Sequence, residues 1–110
     1  MSLQPVPIQN VPGVPDYTCT AFLPKSSDYC LLIPVINEGS RILTELGRAQ
    51  KAGVDRLVDI VICDGGSTDG SMNPDTLELY GVNTLLVKTG PGKQGAQLRM
   101  GLHFALTFGY

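Results

Sequence analysis

The sequence lacks a basic charge excess, a long apolar run and a metal-binding pattern of cysteines. Its formal net charge is −2 and its pI is about 5.1, whereas non-specific nucleic-acid binding needs a basic surface. No apolar run approaches the roughly 18 residues of a membrane-spanning helix, and the N-terminus lacks a signal-peptide core. We therefore expect a soluble, cytoplasmic protein with no nucleic-acid partner and no membrane span.

The cysteine positions and the chain length limit which kinds of protein the sequence can encode. Cys19, Cys30 and Cys63 show no metal-ligand spacing, and the last two lie in apolar runs, which predicts buried, reduced thiols. A chain of 110 residues is one domain at most and is short for a complete α/β enzyme.

The order of predicted elements indicates an α/β fold. Residues 1–27 are rich in proline and predict an extended segment without a periodic pattern. Strands are predicted at 29–34, 57–63 and 82–88. Each is followed by a helix, at about 40–52, from Asn73 to Gly81, and at 95–108. The order β-α-β-α-β-α predicts a Rossmann-like, three-layer unit with a parallel sheet and right-handed crossovers.

The most informative segment is 62–70, Ile-Cys-Asp-Gly-Gly-Ser-Thr-Asp-Gly, which follows a fully apolar strand. The strand places Asp64 at its carboxyl end, where open α/β sheets bind their ligands. Asp64 could accept hydrogen bonds from a base or a ribose there. The alternative is a strand-to-helix turn in which Asp64 and Asp69 only cap backbone amides.

The glycine-rich turn at 90–95 matches the dinucleotide pattern G-x-G-x-x-G, but it follows the third strand and not the first. A P-loop is excluded because Val87 and Gln94 stand where glycine and Ser or Thr are required. A calcium loop at 64–75 is excluded because Gly66 falls on a ligand position.

What remains at this turn is a helix N-terminus flanked by cations. Lys93 and Arg99 bracket its first turns, and free amides with two cations favour a diphosphate. The alternative is that both are solvated surface charges. Glu38, which follows the first strand, could accept a hydrogen bond from a ribose hydroxyl. Alternatively, its negative charge could simply stabilise the N-terminus of the following helix. Ligand-competent turns after all three strands together indicate a nucleotide pocket.

With these residues the chain resembles a family 2 glycosyltransferase of the GT-A fold, and within it the polyprenyl- and dolichol-phosphate sugar synthases. The resemblance rests on the blocks at 32–38, 60–70 and 92–102 and covers residues 28–110. It implies that Pro34, Ile36 and Glu38 line the base and ribose of a sugar nucleotide.

The resemblance also implies roles for the other predicted site residues. Asp64, with Gly65 beside it, would contact the base, and Lys93 with Arg99 would face the diphosphate. Two positions depart from the family pattern. Ile36 stands where a stacking tyrosine is common, and Gly65 stands where many members carry a second aspartate.

The family's metal-binding D-x-D motif is absent from this sequence. We therefore expect residues 28–110 to be the nucleotide-sugar-binding half of a GT-A domain, truncated before D-x-D and inactive alone. The parent enzyme would use Mg²⁺ or Mn²⁺ to transfer a sugar to an acceptor such as a polyprenyl phosphate or glycan. The alternatives are a non-catalytic nucleotide-binding or interaction module and, less favoured, a nucleotidyltransferase. Truncation would leave a sheet edge and a helix face exposed, which predicts self-association.

Overall fold

The computed structural model describes residues 4–9 and 11–110, so part of the predicted extended segment, residues 1–3 and Asn10, lies outside the described residues. Strands and helices alternate over most of the chain. In order they are β1 (Val6–Ile8), β2 (Tyr17–Ala21), β3 (Cys30–Val35), α1 (Arg41–Lys51), α2 (Val54–Leu57), β4 (Asp59–Asp64), α3 (Pro74–Leu79), β5 (Val82–Lys88) and α4 (Gln94–Thr107). The strands and helices predicted after residue 28 match β3, α1, β4, α3, β5 and α4, whereas the short helix α2 was not predicted.

The chain is an α/β protein, but its sheet is mixed. Within the described residues five strands form one sheet in the order β1-β2-β5-β4-β3. β3, β4 and β5 run parallel, as predicted, while β1 and β2 are antiparallel to their neighbours. The prediction of an entirely parallel sheet is therefore wrong.

The two additional strands come from the N-terminal segment that was predicted to be extended and for which no strand was predicted. β2 pairs along β5 from Tyr17 opposite Lys88 to Ala21 opposite Thr84, and β1 pairs with β2. β2 was not predicted because the prolines on both sides of it indicate a loop, although the short run between them favours β structure. As a result, the β5 edge of the parallel strands is covered.

The core lies on both faces of the sheet. Ile60 and Ile62 of β4 pack on one face in a cluster that includes residues of α1 and α3. Val61 and Cys63 pack on the other face, in a cluster with Met100 and Phe104 of α4. Because side chains alternate along a strand, the continuous apolar run of β4 is what burial on both faces requires.

α4 lies unusually close to the sheet at Gly101. A Cβ atom at this position would lie 2.8 Å from Cys63 Sγ, which is closer than packed atoms normally approach. Because Gly101 has no side chain, α4 can pack closely against β4, and the start of α4 then lies near the ends of the strands.

Across residues 4–9 and 11–110, no helix combines the length and apolar character needed to cross a bilayer.

Candidate functional site

A cavity of about 400 Å³ opens at the carboxyl ends of β3, β4 and β5, next to the first turn of α4. These strand ends contribute Val35, Gly65 and Lys88, and α4 contributes Gln94 and Gln97. This is the edge at which parallel α/β sheets bind ligands. The predicted site residues Pro34, Ile36, Glu38, Gly65 and Lys93 all line this cavity.

One wall of the cavity is apolar. Pro34 and Val35 end β3, and Ile36 follows with about half of its surface exposed. Burying an exposed apolar side chain under a flat ring is favourable because it removes apolar surface from water. This wall therefore suits an aromatic group of a ligand.

Glu38 continues the same wall with a carboxylate. Its Oε2 accepts from Arg41 Nε at 3.3 Å and lies 3.2 Å from Arg41 Nη2. The ion pair is at the surface, so its main effect is to orient Glu38. A carboxylate held in this way can accept a hydrogen bond from a ligand hydroxyl.

Another part of the cavity lining is cationic. Lys93 is exposed at the N-cap of α4, and Lys88 Nζ donates to Gly90 O at 2.9 Å. No side chain caps this helix, and its first turn holds no acidic residue. Uncapped amides, the positive end of the helix dipole and two lysines all favour an anionic group.

Asp64 lies outside this cavity. It is buried, and both of its oxygens accept from Ser67 N–H at 3.1 Å, with Ser67 Oγ donating to Oδ1 at 2.6 Å. The structure thus shows Asp64 in the capping arrangement that was the alternative for this turn.

The loops after β3 and β4 are joined by reciprocal hydrogen bonds. Asn37 N–H donates to Ser67 Oγ at 2.9 Å, and Asn37 Oδ1 accepts from Thr68 N–H at 2.8 Å. Gly39 N–H donates to Asp69 Oδ2 at 3.0 Å. Hydrogen bonds from Ser71, with a smaller contribution from Gly39, lower the pKa of the Asp69 carboxyl below its ordinary value. These contacts fix the position of the wall that carries Ile36.

Arg99 also lies outside the cavity. Its Nε donates to Gly13 O at 2.9 Å, and its side chain lines a separate cavity beside the N-terminal segment. Arg99 and Lys93 therefore line different cavities. One turn further along α4, His103 Nδ1 lies 2.7 Å from the hydroxyl of buried Tyr17 and ties α4 to β2.

Sequence reasoning missed Gln97, which is 4% exposed at the base of the cavity. Its Nε2 donates to Val35 O at 2.8 Å and to Cys63 O at 3.0 Å, so it joins the ends of β3 and β4. The available signal was a glutamine on the same helical face as the apolar residues Met100 and Phe104, at i, i+3 and i+7. A polar residue in an apolar stripe indicates a buried hydrogen bond.

The divalent metal implied by the glycosyltransferase resemblance has no site among these side chains. Within residues 4–9 and 11–110, no group of three or more His, Cys, Asp or Glu residues is placed to hold a metal ion. The residues described here therefore do not fit that metal, and no step involving it is assigned to them.

Comparisons with known proteins add no family assignment. No family model matches the chain, and neither a curated protein nor a solved structure matches it.

Proposed function

We propose that this cavity binds the nucleoside diphosphate part of a sugar nucleotide, and that residues 28–110 are the nucleotide-binding half of a family 2 glycosyltransferase. The parallel β3-β4-β5 unit with its helices would correspond to the Rossmann-like half of a GT-A fold. The proposal rests on the sequence resemblance and on the chemistry of the cavity. The parent enzyme would transfer the sugar to an acceptor such as a polyprenyl phosphate or glycan.

The observation that carries the proposal is the change in chemistry across one cavity. Pro34 and Ile36 offer apolar surface, Glu38 offers an acceptor, and Lys88 with Lys93 offers positive charge beside uncapped amides. A nucleoside diphosphate has the matching parts, namely a flat base, a ribose with hydroxyl donors and an anionic diphosphate. The volume of about 400 Å³ lies within the range of small-molecule sites.

The proposal assigns binding, and no transfer chemistry, to the described residues. Mg²⁺ or Mn²⁺ would take part in the parent enzyme through ligands that these residues do not supply. Cytoplasmic residence belongs to the same proposal. It is supported by the three cysteines, which are free thiols in the structure, as is usual for proteins of a reducing compartment.

Calorimetric titration of the chain with UDP, GDP, CDP and ADP, without metal, tests the proposal. We expect at least one of them to bind, and Lys93→Ala to weaken its binding by about 5- to 30-fold while leaving the matching nucleoside unaffected. Lys51→Ala, an exposed lysine of α1 outside the cavity, is the matched control. Absence of binding by all four nucleotides, or equal effects of both substitutions, would overturn it.

We also propose that the chain self-associates through α4 and the β3 edge. Leu98, Leu102 and Leu106 are 42%, 55% and 79% exposed and recur at every fourth residue of α4. They form one apolar stripe, which is costly to leave in water. β3 ends the sheet, so one side of its backbone is open to pairing.

A further inference from the structure

Gln97 is held in one orientation by its surroundings. Both groups that contact its amide nitrogen are backbone carbonyl oxygens, Val35 O at 2.8 Å and Cys63 O at 3.0 Å. A carbonyl can only accept a hydrogen bond, so the nitrogen, and not the oxygen, of the Gln97 amide must face them. Two acceptors use both amide hydrogens.

The carbonyl oxygen Oε1 is the polar atom that Gln97 retains for another partner. No hydrogen bond to Oε1 is found within residues 4–9 and 11–110, and Oε1 is not among the fully enclosed, unpaired polar atoms of that part of the chain. The side chain is 4% exposed and lines the cavity. Oε1 is therefore an oriented acceptor that is not fully enclosed, on a side chain that lines the cavity.

The space that Gln97 occupies depends on Gly65. A Cβ atom at position 65 would lie 2.9 Å from Gln97 Cδ and 3.1 Å from both its Nε2 and Oε1. The first distance is closer than packed atoms normally approach and the other two are tight, so a side chain at position 65 would require Gln97 to shift from its present position. Gly65 and Gln97 act as one unit at the floor of the cavity.

We infer that Gln97 Oε1 selects the ligand by accepting a hydrogen bond from an N–H group of its nucleobase. The inference rests on the proposed nucleotide site and names the group that determines base selectivity there. A buried acceptor that loses its partner is penalised, so a base without an N–H group at this point is rejected. Ring imide and exocyclic amino groups both supply this chemistry.

Matched pairs of ligands test the inference on the unmodified chain. UDP is compared with its N3-methyl derivative, GDP with both its N1-methyl and its N2,N2-dimethyl derivatives, and ADP and CDP with their N,N-dimethylamino derivatives. For the nucleotide that binds, we expect removal of the N–H group to weaken binding by about 10-fold or more. The pair that shows the loss identifies the imide or the amino group as the donor.

Substitutions then assign the effect to Gln97. Gln97→Met keeps the length of the side chain and removes Oε1, and we expect the two members of the pair to bind within about 2-fold of each other. Gln50→Met is the control, because Gln50 Nε2 also donates to a backbone carbonyl, Leu79 O at 3.0 Å, but lies outside the cavity. The control should keep the wild-type discrimination ratio, which is the affinity for the nucleotide divided by the affinity for its methylated derivative.

Gly65→Ala provides a second variant that removes no atom of Gln97. It should lower the discrimination ratio by displacing the Gln97 side chain, and it should have little effect on that ratio in a Gln97→Ala background. If Gln97→Met fails to fold, the ligand pairs and Gly65→Ala decide the question.

The outcomes separate the two proposals. A chain that binds none of the nucleotides overturns the proposed function and this inference with it. A chain that binds a nucleotide and its methylated derivative equally well overturns only the role of Gln97. The same holds if Gln97→Met folds and keeps the wild-type ratio.

Discussion

At the carboxyl end of β4, Asp64 uses both of its oxygens within its own loop. It is 2% exposed and accepts from the amide and the hydroxyl of Ser67. A carboxylate with these partners holds the turn that brings Gly65 to the cavity. In the structure Asp64 therefore shapes the loop beside the cavity.

Replacing Asp64 tests this shaping role. Asp64→Ala should lower the free energy of unfolding by about 1–3 kcal/mol, because the Ser67 amide loses its charged acceptor. Denaturant unfolding measures this, with the exposed Asp28→Ala as the control. Nucleotide affinity of the folded variant should be measured alongside. A 10-fold loss of affinity with unchanged stability would instead support direct contact with the base.

Asp59 is the first residue of β4 and is buried at the amino end of this strand, away from the cavity at the carboxyl ends. It accepts from Ser26 N at 2.9 Å, from Ser26 Oγ at 2.5 Å and from Tyr110 Oη at 2.7 Å. Burial alone would raise the pKa of Asp59, but the hydrogen bonds from Ser26 and Tyr110 outweigh it and lower that pKa below its ordinary value. The charged form is thus favoured by folding.

The lowered pKa of Asp59 predicts how stability depends on pH. The contribution is present above the unfolded-state pKa of about 3.9 and is lost as the pH falls through the lower folded-state pKa. Asp59→Asn should therefore be less stable than the wild type near neutral pH, and the difference should shrink below about pH 4. Urea unfolding across this range measures it, with Asp28→Asn as the control. A difference that does not change with pH would contradict the prediction.

Among the elements, the two helices α3 and α1 begin differently although both follow a polar residue. Asn73 Oδ1 accepts from Asp75 N at 3.0 Å and from Thr76 N at 3.3 Å, whereas the Ser40 side chain makes no capping bond to α1. Pro74 at the first position of α3 adds a preset backbone angle. The short helix α3 therefore depends on its cap more than α1 does.

This difference gives an element-level prediction with its own control. Asn73→Ala should lower the free energy of unfolding by about 0.5–2 kcal/mol, the usual cost of removing an N-cap. Ser40→Ala should change it by less than about 0.5 kcal/mol, since no side-chain bond is lost. Chemical denaturation of both variants measures this. Equal effects would show that the Asn73 contacts contribute nothing specific.

At the scale of the whole molecule, the described sheet ends in an outer strand on each side, β1 and β3, and one face of α4 carries exposed leucines. β2 and β1 cover the β5 edge of the parallel strands, while β3 remains the outer strand at the other end of the described sheet. The leucine stripe of α4 lies outside the core. The outer strand β3 and the leucine stripe of α4 are the two surfaces that we propose for contact with a second copy.

Self-association is therefore predicted at the level of the whole chain. Sedimentation at micromolar concentration should show species larger than a monomer, and Leu102→Gln with Leu106→Gln should shift them toward the monomer. Leu79→Gln is the control, since Leu79 is 77% exposed but lies on α3. A wild-type chain that remains monomeric and unfolds cooperatively would contradict the prediction.

The sequence by itself determined the α/β character, the parallel strands and most helix boundaries. These features depend on patterns of residues that are close together in the sequence, such as the apolar run of β4 and the Asn73-Pro74 start of α3. It also predicted Glu38 and Lys93 near one strand-end site, because strand ends and helix starts meet there by topology, and the family resemblance added Pro34 and Ile36. The predicted biochemical role of that site stays a prediction.

The tertiary structure decided which polar side chains face the cavity and which strands complete the sheet. Gln97 is directed by carbonyls of Val35 and Cys63, which lie 62 and 34 residues away in the sequence. Arg99 is turned toward Gly13, 86 residues away, and β2 pairs with β5 across most of the chain. Side-chain direction and strand pairing depend on such distant partners, and no local pattern encodes where a distant partner will lie.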